Sequence, residues 1–202
     1  MTDTGDQRVV GTKERILEVT AELLRRYGYT GTGLKQIVEH ASAPFGSLYH
    51  FFPRGKEQLA EEVIHRAGRM YLELWEAVFD AAPDPASAMS SFFVGAAEVL
   101  RHTDYADACP IATVALEVAS SSEPLRRATA EVFESWISSV TARLVDAGAT
   151  RADARQLAIF AIAALEGAFV LSRAMRTTEP VDVARVAVVA RVRAVLVPVS
   201  EA

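Results

Sequence analysis

Ile37-Val38-Glu39-His40-Ala41-Ser42-Ala43-Pro44-Phe45-Gly46-Ser47-Leu48-Tyr49-His50-Phe51-Phe52 is the stretch on which the fold turns. Leu34, Ile37, Val38 and Ala41 recur at i, i+3, i+4, i+7, the spacing of one helix face. Ser42-Ala43-Pro44 is a short polar break in which Ser42 is a natural N-cap. The helix after it is about two turns long, with Leu48 and Phe52 on one side. Ahead of both, Ile16, Thr20, Leu23, Leu24 and Tyr27 mark the stripe of a first helix, which Thr12 can cap and Gly28 can end. Three short helices, each with one apolar stripe, bury those stripes against one another. A tight turn before the last of them makes the unit a helix-turn-helix. Periodicity alone would equally suit an ordinary three-helix packing unit.

The free face of the short third helix separates these readings. Gly46, Ser47 and His50 lie on the side away from Leu48. A short helix with such a face can enter a DNA major groove about 12 Å wide. Gly46 allows close approach of the backbone. Ser47 and His50 can hydrogen-bond base edges or phosphate, and the Tyr49 hydroxyl can donate to phosphate. Lys56 would open the next helix, where free backbone N–H groups also favour an anion.

Outward from this unit the chain reads as helix throughout, over 12–28, 34–41, 45–52, 56–81, 85–103, 109–120, 123–147, 151–177 and 181–197. The eight prolines fall mostly where apolar patterns break. The expectation is an all-α chain: a disordered N-terminus over 1–10, a helix-turn-helix domain over 11–55, and a helical body over 56–202. The 56–81 helix would span about 39 Å and link the two parts. Segments 151–177 and 181–197 are apolar on more than one face. Such helices need cover on all sides. The expected cover is a four-helix interface with a second copy; the alternative is burial within one subunit.

Bulk properties exclude several classes. Of 202 residues, half are hydrophobic, enough for a sizeable core. The net charge of −5 is uneven: residues 1–60 carry eight Lys/Arg against seven Asp/Glu, including all three lysines, and the rest is acidic. A near-neutral head on an acidic body suits phosphate contact by a few placed residues. The lone Cys109 excludes an internal disulfide framework and fits a reducing cytoplasm. The four histidines are isolated, so no metal site is expected, and no phosphate loop or cofactor motif is present. The N-terminus lacks a signal-peptide pattern. The longest nearly apolar run, Leu157–Leu171, is interrupted by Glu166 and reads as a buried helix rather than a membrane span.

The quoted stretch, followed by Gly55-Lys56-Glu57-Gln58-Leu59, resembles the signature of TetR-type repressors: helix 2, a turn, a recognition helix ending Leu-Tyr-x-x-Phe, and a Lys-Glu-x-Leu start to helix 4. Gly31-Thr32-Gly33-Leu34 and Cys109-Pro110-Ile111 are similar to the subgroup of multidrug- and flavonoid-responsive regulators. The resemblance implies an all-α homodimer with a DNA-binding head and a ligand-binding body, in which ligand moves helix 4 and changes the separation of the heads. It implies that Thr32, Lys35, Ser47, Tyr49, His50 and Lys56 match DNA-contacting positions. Phe45 departs from the pattern, where a basic or polar residue is common. It could touch a thymine methyl or pack against helix 2.

In the body, Glu117 and Glu166 sit in apolar surroundings, where a carboxylate is costly unless paired. Either could orient a ligand, or pair structurally. Tyr71, Trp75, Phe92, Phe93, Tyr105, Phe133, Trp136 and Phe169 supply aromatic surface for core and for an apolar pocket, with Cys109 a further candidate lining residue. Three functions compete: a repressor released by a small amphipathic or aromatic effector, a helical enzyme, and a DNA-binding factor without a ligand. No catalytic constellation at usable spacing supports the enzyme.

Overall fold

Side-chain caps and prolines set where the body helices begin. Asp84, Ser122 and Thr150 each accept a hydrogen bond from the backbone N–H three residues on, opening helices over Pro85–His102, Glu123–Asp146 and Arg151–Met175. In the computed structural model, which describes residues 11–107 and 109–196, nine helices and no strand are found. They are α1 (Thr12–Tyr27), α2 (Leu34–His40), α3 (Phe45–Phe51), α4 (Lys56–Ala81), α5 (Pro85–His102), α6 (Pro110–Val118), α7 (Glu123–Asp146), α8 (Arg151–Met175) and α9 (Glu179–Leu196). The disorder expected over 1–10 and the last expected helical position, 197, lie outside the described residues.

Two expected caps are not used. Gly11 takes the N-cap position of α1, leaving Thr12 inside the helix. Ser42 adopts a left-handed backbone, with φ of 48°, to make the α2–α3 turn, and Pro44 precedes α3. Tyr27, expected on the buried stripe of α1, is more than half exposed at the last position of that helix.

The head is held by Ile16, Leu24, Ile37, Leu48 and Phe52, all essentially solvent-free. Burying a side chain of this size stabilises by about 1.5–3 kcal/mol. The same cluster runs on through Leu59, Val63 and Ile64 of α4 into α6 and α7. Lys13–Glu62 (2.9 Å) and Glu14–Arg66 tie α1 to α4 on the surface. A second cluster joins α5, α7, α8, α9 and the far half of α4. Between them α4 and α7 pack backbone to side chain. A Cβ on Gly68 would stand 2.5 Å from Val132 Cγ2, and Trp136 Nε1 donates to the Gly68 carbonyl at 2.9 Å.

Helix α8 is long and apolar enough, by length and composition, to match a membrane span, and a third of its most apolar window is buried within the subunit. Its outward side leaves Ile159, Phe160, Val170, Leu171 and Met175 exposed, beside Val183 and Val186 of α9.

Candidate nucleic-acid interface and interior cavity

Helix α3 stands on Leu48 and Phe52, both fully buried, so its opposite face is fixed outward. Phe45, Gly46, Tyr49 and His50 are exposed and Ser47 is half-buried. Phe45 is 45 % exposed at the first position of α3. Lys35 projects from α2 with its side chain 81 % exposed and Glu39 3.8 Å away.

One expected contact residue, Thr32, is placed otherwise, and Lys56 opens α4 as expected. Thr32 is completely buried, and its hydroxyl donates to the Gly28 carbonyl at 2.7 Å. It closes the α1–α2 turn and has no surface to offer a duplex. Lys56 is half-buried at the start of α4, with its ammonium 4.2 Å from the centre of the Tyr29 ring, and burial lowers its pKa.

Tyr29 belongs to the turn that α6 grips. The backbone N–H groups of Tyr29 and Thr30 donate to the two carboxylate oxygens of Glu117, at 3.0 and 2.7 Å. Gly28 is needed for that approach. Its φ is +70°, and a Cβ there would stand 1.7 Å from Glu117 Oε1. Glu117 therefore binds the head to the body, and the ligand-anchoring alternative is corrected. The reason is its place at the far end of α6, well away from the cavity that the other end of α6 lines.

That cavity, about 240 Å³, lies at the seam of the two core clusters. Its wall brings together Tyr71, Trp75, Phe92, Cys109, Trp136, Glu166 and Phe169 from the expected set. Trp75 and Phe92 stack on each other, with ring centres 3.7 Å apart, and Tyr71 meets Trp136 edge to face. Phe133 and Tyr105 are not part of the wall. Phe133 buttresses Trp136 from behind, and Tyr105 sits on the α5–α6 loop, whose carbonyls at 105 and 106 accept from Arg173. Phe93, named only as aromatic surface, is core. Half-exposed Leu74 and Val99 form a mouth between α4 and α5.

Sequence reading missed Arg25 and Asp107 in this wall. They are paired at 3.2 Å across 82 positions of chain, a closeness that no local pattern announces. Because Arg25 belongs to α1, the cavity touches the head directly. Glu166 is half-buried in this wall, close to Cys109, and desolvation pushes its pKa up to about 7. Burial likewise pushes the Cys109 thiol well up, which leaves it a neutral, unreactive group. Tyr71 is pushed up to about 12 for the same reason. Among the described residues, no group of three His, Cys, Asp or Glu side chains is placed to hold a metal ion.

Residues 16–63 match the model for bacterial regulatory proteins of the tetR family, and residues 85–186 match that for the C-terminal domain of LmrA/YxaF-like transcriptional regulators. The chain is 36 % identical over 180 residues to the uncharacterized HTH-type transcriptional regulator YxaF of Bacillus subtilis (strain 168), covering 89 % of this chain and 92 % of that one. It is 32 % identical to the HTH-type transcriptional regulator LmrA of the same organism, with 84 % and 90 % covered. Its fold matches the crystal structure of a regulatory protein TetR from Rhodobacter sphaeroides with a TM-score of 0.81 at 22 % identity, over 89 % of this chain and 98 % of that one.

Proposed function

The chain belongs to the TetR family of bacterial transcriptional regulators and is not an enzyme, and on that footing we propose that it is a homodimeric repressor released from a palindromic operator by a small amphipathic effector. The observation that carries the DNA half is the outward face of α3, where Phe45, Gly46, Ser47, Tyr49 and His50 project from a floor of buried Leu48 and Phe52. Ser47 and His50 read base edges, Tyr49 and Lys35 hold phosphates, and Phe45 supplies an apolar contact to a thymine methyl. A chromosomal target implies a cytoplasmic location.

The seven exposed apolar residues of α8 and α9 support the dimer through 151–177 and 181–197. A contiguous patch of this kind marks an interaction site. The aromatic cavity supports the effector. An occupant would press on α4 through Tyr71 and Trp75, on the start of α6 at Cys109, and on the Arg25–Asp107 pair. Because α6 holds the α1–α2 turn through Glu117, its displacement would tilt the head and spoil the spacing of the paired recognition helices.

Replacing Tyr49 and His50 together with Ala tests the DNA half. Specific affinity for a selected operator is expected to fall at least about a hundredfold in gel shift, with helical content and sedimentation unchanged. Retained specific affinity in a folded double variant would refute the assignment of α3.

A further inference from the structure

We infer that the cavity is built for an organic cation carried on a flat aromatic frame. This rests on the reading of the cavity as the effector site, and it names the chemistry of the occupant. Three observations lead to it.

The first is the charge of the wall. Arg25 and Asp107 neutralise each other at 3.2 Å, on the side of the cavity that faces the head. Glu166, from α8, has no such partner among the described residues. The Cys109 thiol, which lines the same wall, is kept neutral by its burial and offers no counter-charge. With Glu166 ionised, the wall therefore carries one uncompensated negative charge. A carboxylate in a largely apolar wall is costly to hold without a counter-charge.

The second is the rest of the lining. Trp75, Trp136, Phe92, Phe169 and Tyr71 surround the space. Aromatic faces attract a cation most strongly when water is excluded. A neutral aromatic molecule would use the rings and leave Glu166 unanswered. An anion would be repelled by it. A quaternary or delocalised cation uses both, and it sheds water at less cost than a compact ammonium because its charge is spread.

The third is the set of polar and titratable groups that line the cavity together with Glu166. They are Tyr71 on α4, Ser91 on α5, Cys109 at the head of α6, Trp136 on α7, and the Arg25–Asp107 pair from α1 and the α5–α6 loop. Tyr71 and Cys109 are both pushed up and stay protonated and uncharged near pH 7, whereas Glu166, raised to about 7, exchanges its proton there. Protons and a cationic effector must then compete for it. Affinity for a permanent cation should fall as pH drops below about 7, while affinity for a neutral molecule should not.

Isothermal titration of the intact chain with three probes of matched shape tests this: (2-naphthylmethyl)trimethylammonium, its neutral carbon isostere 2-neopentylnaphthalene, and 2-naphthylacetate. The cation should bind at least about tenfold more tightly than either of the others at about pH 8, and lose that advantage at about pH 6. In Glu166→Gln the preference should vanish at both values. Should that variant fail to fold, the pH dependence of the wild type is decisive by itself. Equal binding of cation and isostere, or a cation preference indifferent to pH, would overturn the inference and leave the cavity an effector site of another class. If none of the probes bound, and a wider hydrophobic library also gave no thermal stabilisation, the effector reading itself would fall.

Discussion

At Glu166 the fold keeps a carboxyl where water would ordinarily solvate it, and stability must record that. The folded-state pKa is raised from 4.5 to about 7, so between those values the native chain holds a proton that the unfolded chain has released. Native binding of the extra proton makes stability fall as pH rises through that window, by about 3 kcal/mol in all. Other carboxylates act in the opposite sense: Glu14, Glu123 and Glu134 are lowered by hydrogen-bonded arginines. The measurement is therefore a difference. Urea unfolding of Glu166→Gln, minus that of the wild type, should give a gap that widens from about pH 4.5 to about pH 7. A gap constant with pH would mean that Glu166 is solvated. The sequence showed Glu166 among apolar neighbours, and that much was legible from its position in Ala-Ala-Leu-Glu-Gly-Ala-Phe. It showed the same of Glu117, and the two could not be told apart. Their fates depend on which helix lies opposite. Thr32 is a similar case. A hydroxyl before a helix can reach a phosphate or its own turn, and only the path of the α1–α2 turn decides for the Gly28 carbonyl.

Helices were the most legible level, because their signals are local. Spacing of Leu34, Ile37, Val38 and Ala41, the shortness of α3, and prolines at 85, 110 and 124 together placed nearly every boundary. What one helix does to another was not legible. Helix α6 has nine residues, with the cavity at its Cys109 end and Glu117 holding Tyr29 and Thr30 near its other end. The contact spans 88 positions of chain. Under the proposed release mechanism this short rod carries the effector signal. Glu117→Ala should cost about 1 kcal/mol of stability, chiefly by leaving the part-buried Tyr29 N–H without its acceptor. It should also shrink the effector's weakening of operator binding by about tenfold, a coupling of ordinary size, while effector affinity measured without DNA stays the same. Full effector response in the variant would assign the coupling to α4 alone.

For the whole molecule the decisive surface is the one a single subunit leaves uncovered. Val170, 58 % exposed on α8, lies within the apolar face shared with α9. An arginine there would place two uncompensated charges across a two-fold interface. Val170→Arg should raise the dimer dissociation constant by about a hundredfold or more, read by sedimentation velocity across a dilution series, with the subunit fold intact. An unchanged dimer would move the interface elsewhere. The proposed dimer would also set the geometry of recognition, since two α3 helices related by a two-fold axis demand a two-fold operator. Selection of bound duplexes from a randomised pool puts this demand to the sharpest trial. The selected pool should be enriched in an inverted repeat whose half-sites are centred about one helical turn or a multiple of it apart, ~34–36 Å per turn. Enrichment of a single unrepeated site, or of no site at all, would contradict paired recognition by α3.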